Sequence, residues 1–337
     1  MPLLGMNCPG KAGRTGRLTR RDLLAATASA PFISSAHAHP DKPLRVIVPG
    51  APGGLIDLAA RAMGDAMQRE LGRPWLIESR PGANGVIAAK AFLDTPASDD
   101  TLYLTALSHV LLPFLTKVPF DVLADFRPVA IVGVSTFLLC VPASSPADSV
   151  AGFVGHARAN PGKLGYLNSG NGTASHLLPE MLNIRYGLGV TAVYYKALSP
   201  GIIDLMAGRL DLGLVNTGVA LPFVQQGRLK AIAQVGRHRI DAVSAVPTLT
   251  EQGLADFNLE ALMPLYGRTS VPASTVARIN EAVAAAMVDR TTCERLANAY
   301  IEPLPMEPAD VDATLRREHD RLGALIRQLG IKADDAT

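Results

Sequence analysis

Two loops of this 337-residue chain carry small, polar and turn-forming residues in a spacing suited to holding an anion. The first is Pro49-Gly50-Ala51-Pro52-Gly53-Gly54, followed at once by Asp57; the second is Asn168-Ser169-Gly170-Asn171-Gly172-Thr173-Ala174-Ser175-His176. Each follows a short apolar stretch and runs into apolar residues at helical spacing, so each loop opens a helix. The first N–H groups of a helix have no internal partner, and the aligned peptide dipoles add about half a positive charge there. A carboxylate is therefore the ligand such loops favour. In the first loop Gly50, Gly53 and Gly54 would let the backbone come close to it. In the second, Gly170 and Gly172 expose N–H groups, and Thr173 and Ser175 offer hydroxyls. Neither loop has the G-x-G-x-x-G or Gly-Lys-Ser/Thr pattern, so a nucleotide is not indicated.

Other residues could support catalysis, and their spacing argues against it. Ser108-His109 and Ser175-His176 pair a hydroxyl with an imidazole, but sequence neighbours point to different faces, so neither is a nucleophile–base couple. There is no G-x-S-x-G elbow. The histidines are scattered, without H-x-x-x-H or a nearby Cys pair, so no metal and no cofactor is expected. Asp57 could act as a base, yet near a helix start its simpler role is to cap free N–H groups. Lys196 is the one Schiff-base candidate, and a solvated lysine is the plainer reading. His109 at a strand end either faces a ligand or packs.

The elements that must position these residues alternate strand and helix. Leu44 to Val48 is a strand, and the helix beyond Gly54 places Leu58, Ala59, Ala62, Met63 and Met67 on one stripe. Strands follow at 75–78 and 102–106, the latter ending at Ser108 and His109 on the same sheet edge as the first loop. A long β-rich run, 128–141, crosses into a second lobe. There a helix over 150–159, a strand at 164–167 and a helix over 174–184 frame the second loop. A strand at 193–196 carries Tyr195, and one at 210–215 ends at Asn216. Residues 229–235 read as the strand that returns the chain, 246–249 as an extended link, and the remainder as mostly helical, notably 275–288 and 308–329. The expected fold is α/β and two-lobed, each lobe a mainly parallel sheet flanked by helices. Lobe 1 takes residues 39–136 and 233–337, and lobe 2 takes 137–232.

Residues 1–38 stand apart. Lys11, Arg14, Arg17, Arg20 and Arg21 form a basic head, 23–33 a short apolar stretch, and Ala36-His37-Ala38 a small-x-small cleavage pattern. This reads as an export signal cut after Ala38, with Arg20-Arg21 resembling the twin-arginine variant. Its loss removes five basic residues and one acid, taking 32 and 30 to 27 and 29. A near-neutral mature chain gives no support to a nucleic-acid or anionic-membrane partner. Of three cysteines Cys8 leaves with the signal, and Cys140, in the apolar run 137–141, is expected to be a buried thiol.

In their order the motifs resemble the Bug family, the periplasmic solute receptors of the tripartite tricarboxylate transport type. The resemblance covers nearly the whole mature chain. It rests on 48–54 with Asp57, Glu78-Ser79-Arg80-Pro81-Gly82-Ala83, Val118-Pro119-Phe120-Asp121, Asn160-Pro161-Gly162, 169–176, Tyr195-Lys196, Gly208-Arg209-Leu210-Asp211 and Val246-Pro247-Thr248. It implies a Venus-flytrap receptor of the type II periplasmic-binding-protein fold. Such a receptor is not an enzyme: it holds a small organic carboxylate in the inter-lobe cleft, largely on backbone amides, and delivers it to membrane permease subunits. Mapped here, the ligand would touch Ala51, Pro52, Gly53, Gly54, Asp57, Ser108, His109, Ser169, Gly170, Asn171, Thr173, Ser175, Tyr195 and Asn216. The alternatives are a sensor presenting its liganded form to a signalling partner and a secreted hydrolase. Some positions depart from the family pattern. Leu55-Ile56 stands where a Ser/Thr pair is usual, Val215 replaces an acidic residue, and 263–272 reads as a shortened loop with Tyr266 as a substitute aromatic. These changes argue against an amino acid and toward a less polar carboxylate.

Overall fold

The computed structural model describes residues 42–331 apart from 97–99, 196–197, 237, 258 and 260. The export segment and Lys196 lie outside the described residues. The chain opens with β1 (Leu44–Val48), α1 (Leu55–Leu71) and β2 (Trp75–Ser79). Next come α2 (Val86–Leu93), β3 (Thr101–Leu104) and the single turn α3 (Leu112–Leu115). On α1, Ile56, Ala59, Ala60, Met63, Ala66 and Met67 are buried, as a 3.6-residue period demands, whereas Leu58 points outward at 42% exposure. Leu58 therefore does not belong to the apolar stripe in which the spacing placed it.

The chain crosses between lobes where β4 (Phe126–Ser135) passes into β5 (Phe137–Pro142), with Thr136 alone between the two ladders. The second sheet is completed by β6 (Gly165–Asn168), β7 (Thr191–Tyr194), β8 (Leu212–Asn216) and β9 (Leu229–Val235). It is covered by α4 (Val150–Ala159), α5 (Ala174–Tyr186), α6 (Leu198–Met206) and α7 (Thr217–Gln225). The chain then returns as β10 (Ala261–Arg268) and ends with α8 (Ala273–Ala286), α9 (Arg290–Asn298), the short β11 (Ile301–Glu302) and α10 (Pro308–Gln328).

The first sheet has the order β11-β4-β10-β3-β1-β2 and the second β7-β6-β8-β5-β9. Both are mixed rather than mainly parallel. The βαβ units β1–β2, β1–β3, β6–β7 and β6–β8 pair in parallel, while the crossing and returning strands run antiparallel to their neighbours. Residues 263–268, expected in a loop, lie in β10 between β3 and β4, and Tyr266 is buried there rather than offered to the cleft. Pro264 and Gly267 disguise the strand as a turn, but both sit beside breaks in regular pairing or near its end.

Residues 233–257, expected in the first lobe, pack on the second. Ala233 to Val235 pair with β5, Val150 N–H donates to Gln252 Oε1 at 3.1 Å, and Gln252 Nε2 donates to Ile232 O at 3.0 Å. Arg185 pairs with Asp256 at 2.8 Å. Cys140 and Cys293 are buried, Cys293 Sγ donating to Met287 O at 3.0 Å, and burial pushes the Cys140 thiol up to about 12. Among the described residues no helix is long and apolar enough to cross a membrane.

Candidate functional site

The first loop turns sharply because the third helical residue reaches back over it. Gly54 caps α1 with extended backbone (φ −74°, ψ 166°) and has no side chain to offer its free N–H groups. Asp57 compensates: its Oδ2 accepts from Gly53 N–H at 2.8 Å and from Arg61 Nε, one turn on, at 2.7 Å. Asp57 is 0% exposed, and its other oxygen, Oδ1, is buried without a hydrogen-bond partner. Burial alone would raise its pKa, but the Arg61 hydrogen bond, the Gly53 N–H and the Arg61 charge outweigh it and hold the carboxyl below the usual range. Asp57 thus fixes the loop, while the first amides of the helix, at Leu55 and Ile56, take no cap from a Gly54 side chain.

The second loop is fixed by hydroxyls. Thr173 Oγ1 donates to Gly170 O at 2.7 Å, which spends its only proton. In its 2.9 Å contact with Ser175 it must therefore accept, so Ser175 donates there and accepts from Ser169 Oγ (2.8 Å) and Ser169 N–H (3.1 Å). Ser175 is saturated and acts as the loop's inner peg; Ser169 is the outer hydroxyl of the chain. Asn168 Oδ1 accepts from Gly170 N–H at 2.8 Å, and His176 Nδ1 accepts from Gly172 N–H at 3.1 Å, which puts the proton of the neutral ring on Nε2. His176 thus braces the loop and is no base for Ser175. The Thr173 side chain does not cap α5, so its first amides also stay open.

Between the lobes lies a cavity of about 260 Å³. Both helix starts line it, through Leu55 and Ile56 on one side and Thr173, Ala174 and Ser175 on the other. Because β6 and β8 run parallel, Ser169 and Asn216 emerge at one edge of the second sheet, and both line the cavity. Asn216 Nδ2 is buried and has no hydrogen-bond partner, although Asn216 stands at the N-cap of α7. A donor so placed awaits an acceptor. Among the described residues that line the cavity none is charged.

The lobes meet around this cavity. Asn84 Nδ2 donates across the cleft to Asn171 O at 2.9 Å. Gly172 has φ +72°, and a Cβ there would stand 1.8 Å from Leu115 Cδ1, so glycine is required both by backbone and by contact. Buried residues from both sheets join in one apolar cluster.

Of the residues named from sequence, Ser108, Ser169, Thr173, Ser175 and Asn216 line the cavity. Ala51, Pro52 and Gly53 are exposed beyond its wall, and Gly54 is the cap behind it. Asp57 is a clamp and not a contact. Gly170 and Asn171 serve the loop and the lobe contact through their carbonyls. Tyr195 donates its hydroxyl to Asp204 at 2.6 Å and is absent from the wall. His109 faces away from Ser108, 1% exposed among Tyr103, Phe120, Phe126 and Tyr266, with neither ring nitrogen bonded. Burial lowers its pKa to about 3, so it is neutral. The sequence reading missed the apolar wall of Leu107, Leu111, Phe137, Leu198, Leu259 and Leu322. Leucines from four separate segments carry no spacing signal that marks them as a site.

A two-lobed fold with an anion-favouring cleft is shared by several receptor families, and sequence comparison separates them. The model of the tripartite tricarboxylate transporter family receptor, TctC, matches residues 59–331. The chain belongs to that family. The chain is 28% identical over 313 residues to BugT of Bordetella pertussis, an alignment spanning 92% of this chain and 96% of BugT. It is also similar to a solved R. palustris protein with adipate (27% identity, TM-score 0.79, 86% of this chain and 98% of that one). A third relative is MatC of Rhodopseudomonas palustris with bound malate (26% identity, TM-score 0.75, 84% and 98%). The family match begins after the first loop and so does not cover the Pro/Gly turn.

Proposed function

We propose that this TctC receptor is a periplasmic solute-binding protein that holds a small organic carboxylate between its lobes and presents it, chemically unchanged, to membrane permease subunits. The observation that carries this reading is the character of the cavity. Two helix starts and the unpartnered Asn216 Nδ2 supply donors, and among the described residues no carboxylate or cation lines the wall to compete. The relatives with adipate and malate support it, since both of those ligands are carboxylates. Neither histidine beside a serine is placed as that serine's base, which favours capture over hydrolysis.

The test is thermal denaturation of the mature chain, stripped by unfolding and refolding, against mono-, di- and tricarboxylates, amino acids and neutral controls. A ligand at 100 times its Kd adds ~2.7 kcal/mol to stability, an easily read shift. A shift confined to carboxylates, with the compound recovered intact, is the expected result. Asn216→Leu should lower the affinity about 10- to 150-fold, the worth of a hydrogen bond to a charged group. Turnover of any carboxylate, or full affinity in Asn216→Leu, refutes the reading.

A further inference from the structure

The cleft sets a few polar groups, most of them from the second lobe, in an apolar wall to which both lobes contribute. From the second lobe come Ser169, Thr173, Ser175 and Asn216; the first lobe contributes one hydroxyl, Ser108, and otherwise Leu, Ile and Ala side chains. Thirteen of the nineteen lining residues are apolar. The two helix starts and Asn216 satisfy one carboxylate. Beyond them, among the described residues, the wall of Leu107, Leu111, Leu259 and Leu322 offers the Ser108 hydroxyl as its one side-chain donor, so a second carboxylate seated there would be buried largely unpaired. At Leu55 and Ile56, the first residues of α1, both side chains facing the ligand are hydrocarbon.

We infer that the cleft selects a monocarboxylate with an apolar body and discriminates against diacids of the same length. This rests on the carboxylate reading above and narrows it. The carboxylate lies between the two helix starts and accepts from Asn216 Nδ2, and the hydrocarbon body fills the leucine wall. Water leaving that wall adds affinity only when the group replacing it is apolar.

Two matched series test this by calorimetry and melting shift on the stripped protein: hexanoate, adipate and hexan-1-ol, and benzoate, terephthalate and benzyl alcohol, with malate beside them. In at least one series the monocarboxylate should bind at least tenfold more tightly than its diacid and the alcohol should not bind. Leu55→Ser should shrink that ratio while leaving the unliganded protein folded, since Leu55 is only half-buried at the helix start. A diacid or malate that binds as tightly as the monocarboxylates overturns this inference and leaves the carboxylate reading intact. An alcohol that binds as tightly, or no binding by any of the seven compounds, overturns both.

Discussion

The contact between Gly172 and Leu115 makes closure of the lobes measurable. Gly172→Ala places a methyl 1.8 Å from Leu115 Cδ1, where carbon atoms ordinarily rest ~3.5–4.0 Å apart. About 2 Å must be recovered, and Leu115 is 2% exposed, so its side chain has little free space to swing into. Two costs follow, and they separate. The left-handed backbone at φ +72° costs an alanine about 1–2 kcal/mol within the second lobe, open or closed, and lowers the melting temperature. The clash exists only when the lobes meet, and overpacking of this kind costs about 1–3 kcal/mol. That second term falls on the ligand-holding state alone, so affinity should drop about five- to 150-fold. Calorimetry with the best-binding carboxylate reads the affinity, and small-angle scattering reads the shift toward an open shape. Adding Leu115→Ala to Gly172→Ala should restore most of the affinity and none of the backbone cost. If Gly172→Ala binds at wild-type strength, or if the double variant is no better than the single, the lobes do not close on this contact and the reasoning fails.

Three other perturbations have defined outcomes. Asn84→Ala removes the hydrogen bond to Asn171 O and should weaken carboxylate binding about two- to tenfold with an unchanged melting temperature; equal affinity would mean the bond contributes nothing to closure. Asp57→Asn should lower stability by about 1–2 kcal/mol through the lost clamp, yet not reduce affinity; weaker binding with normal melting would put Asp57 back among the ligand contacts. His109 is buried neutral with a folded pKa near 3 against an ordinary 6.5, so the unfolded chain binds the proton first. Its stabilising effect is complete above pH 6.5 and is lost as pH falls toward 3, about 2 kcal/mol of it by pH 5. His109→Phe should therefore flatten the acid limb of the stability curve, and identical slopes for both proteins between pH 7 and 5 would contradict the burial argument.

The sequence made the two loops legible because their chemistry is local. A strand, a glycine turn and a helix start are contiguous, and Ser169, Thr173 and Ser175 reach the cavity through their own loop. Asn216 was legible as the end of a strand. What local pattern could not reveal is direction. Ser108 and His109 are neighbours, yet the short helical turn that follows β3 sends one to the cleft and the other into an aromatic core. Asp57 has the residue type of a ligand contact, but Arg61 one turn later already claims it. The leucine wall was invisible because it is assembled from segments more than 200 residues apart. β10 was lost because Pro264 and Gly267 outweigh, in a short window, a burial pattern that only the neighbouring strands impose.

The placement of β10 also dictates an order of assembly. In the first sheet β4 pairs only with β10 and β11, and β3 meets the rest of that sheet only through β1 and β10. Until residues 261–268 have left the ribosome, the earlier strands of the first lobe form two fragments with a gap between them, and β4 exposes both of its edges. The second sheet, by contrast, is drawn wholly from 137–235, and the later residues that pack on it end at 257, before β10. The second lobe can therefore complete itself while the first still waits for its central strand. Because closing that gap joins segments more than a hundred residues apart, it is the slow step that loop entropy predicts. A chain truncated before residue 261 should keep a folded second lobe while its first lobe stays open to proteases, with an unpaired β4 as the surface most prone to aggregate.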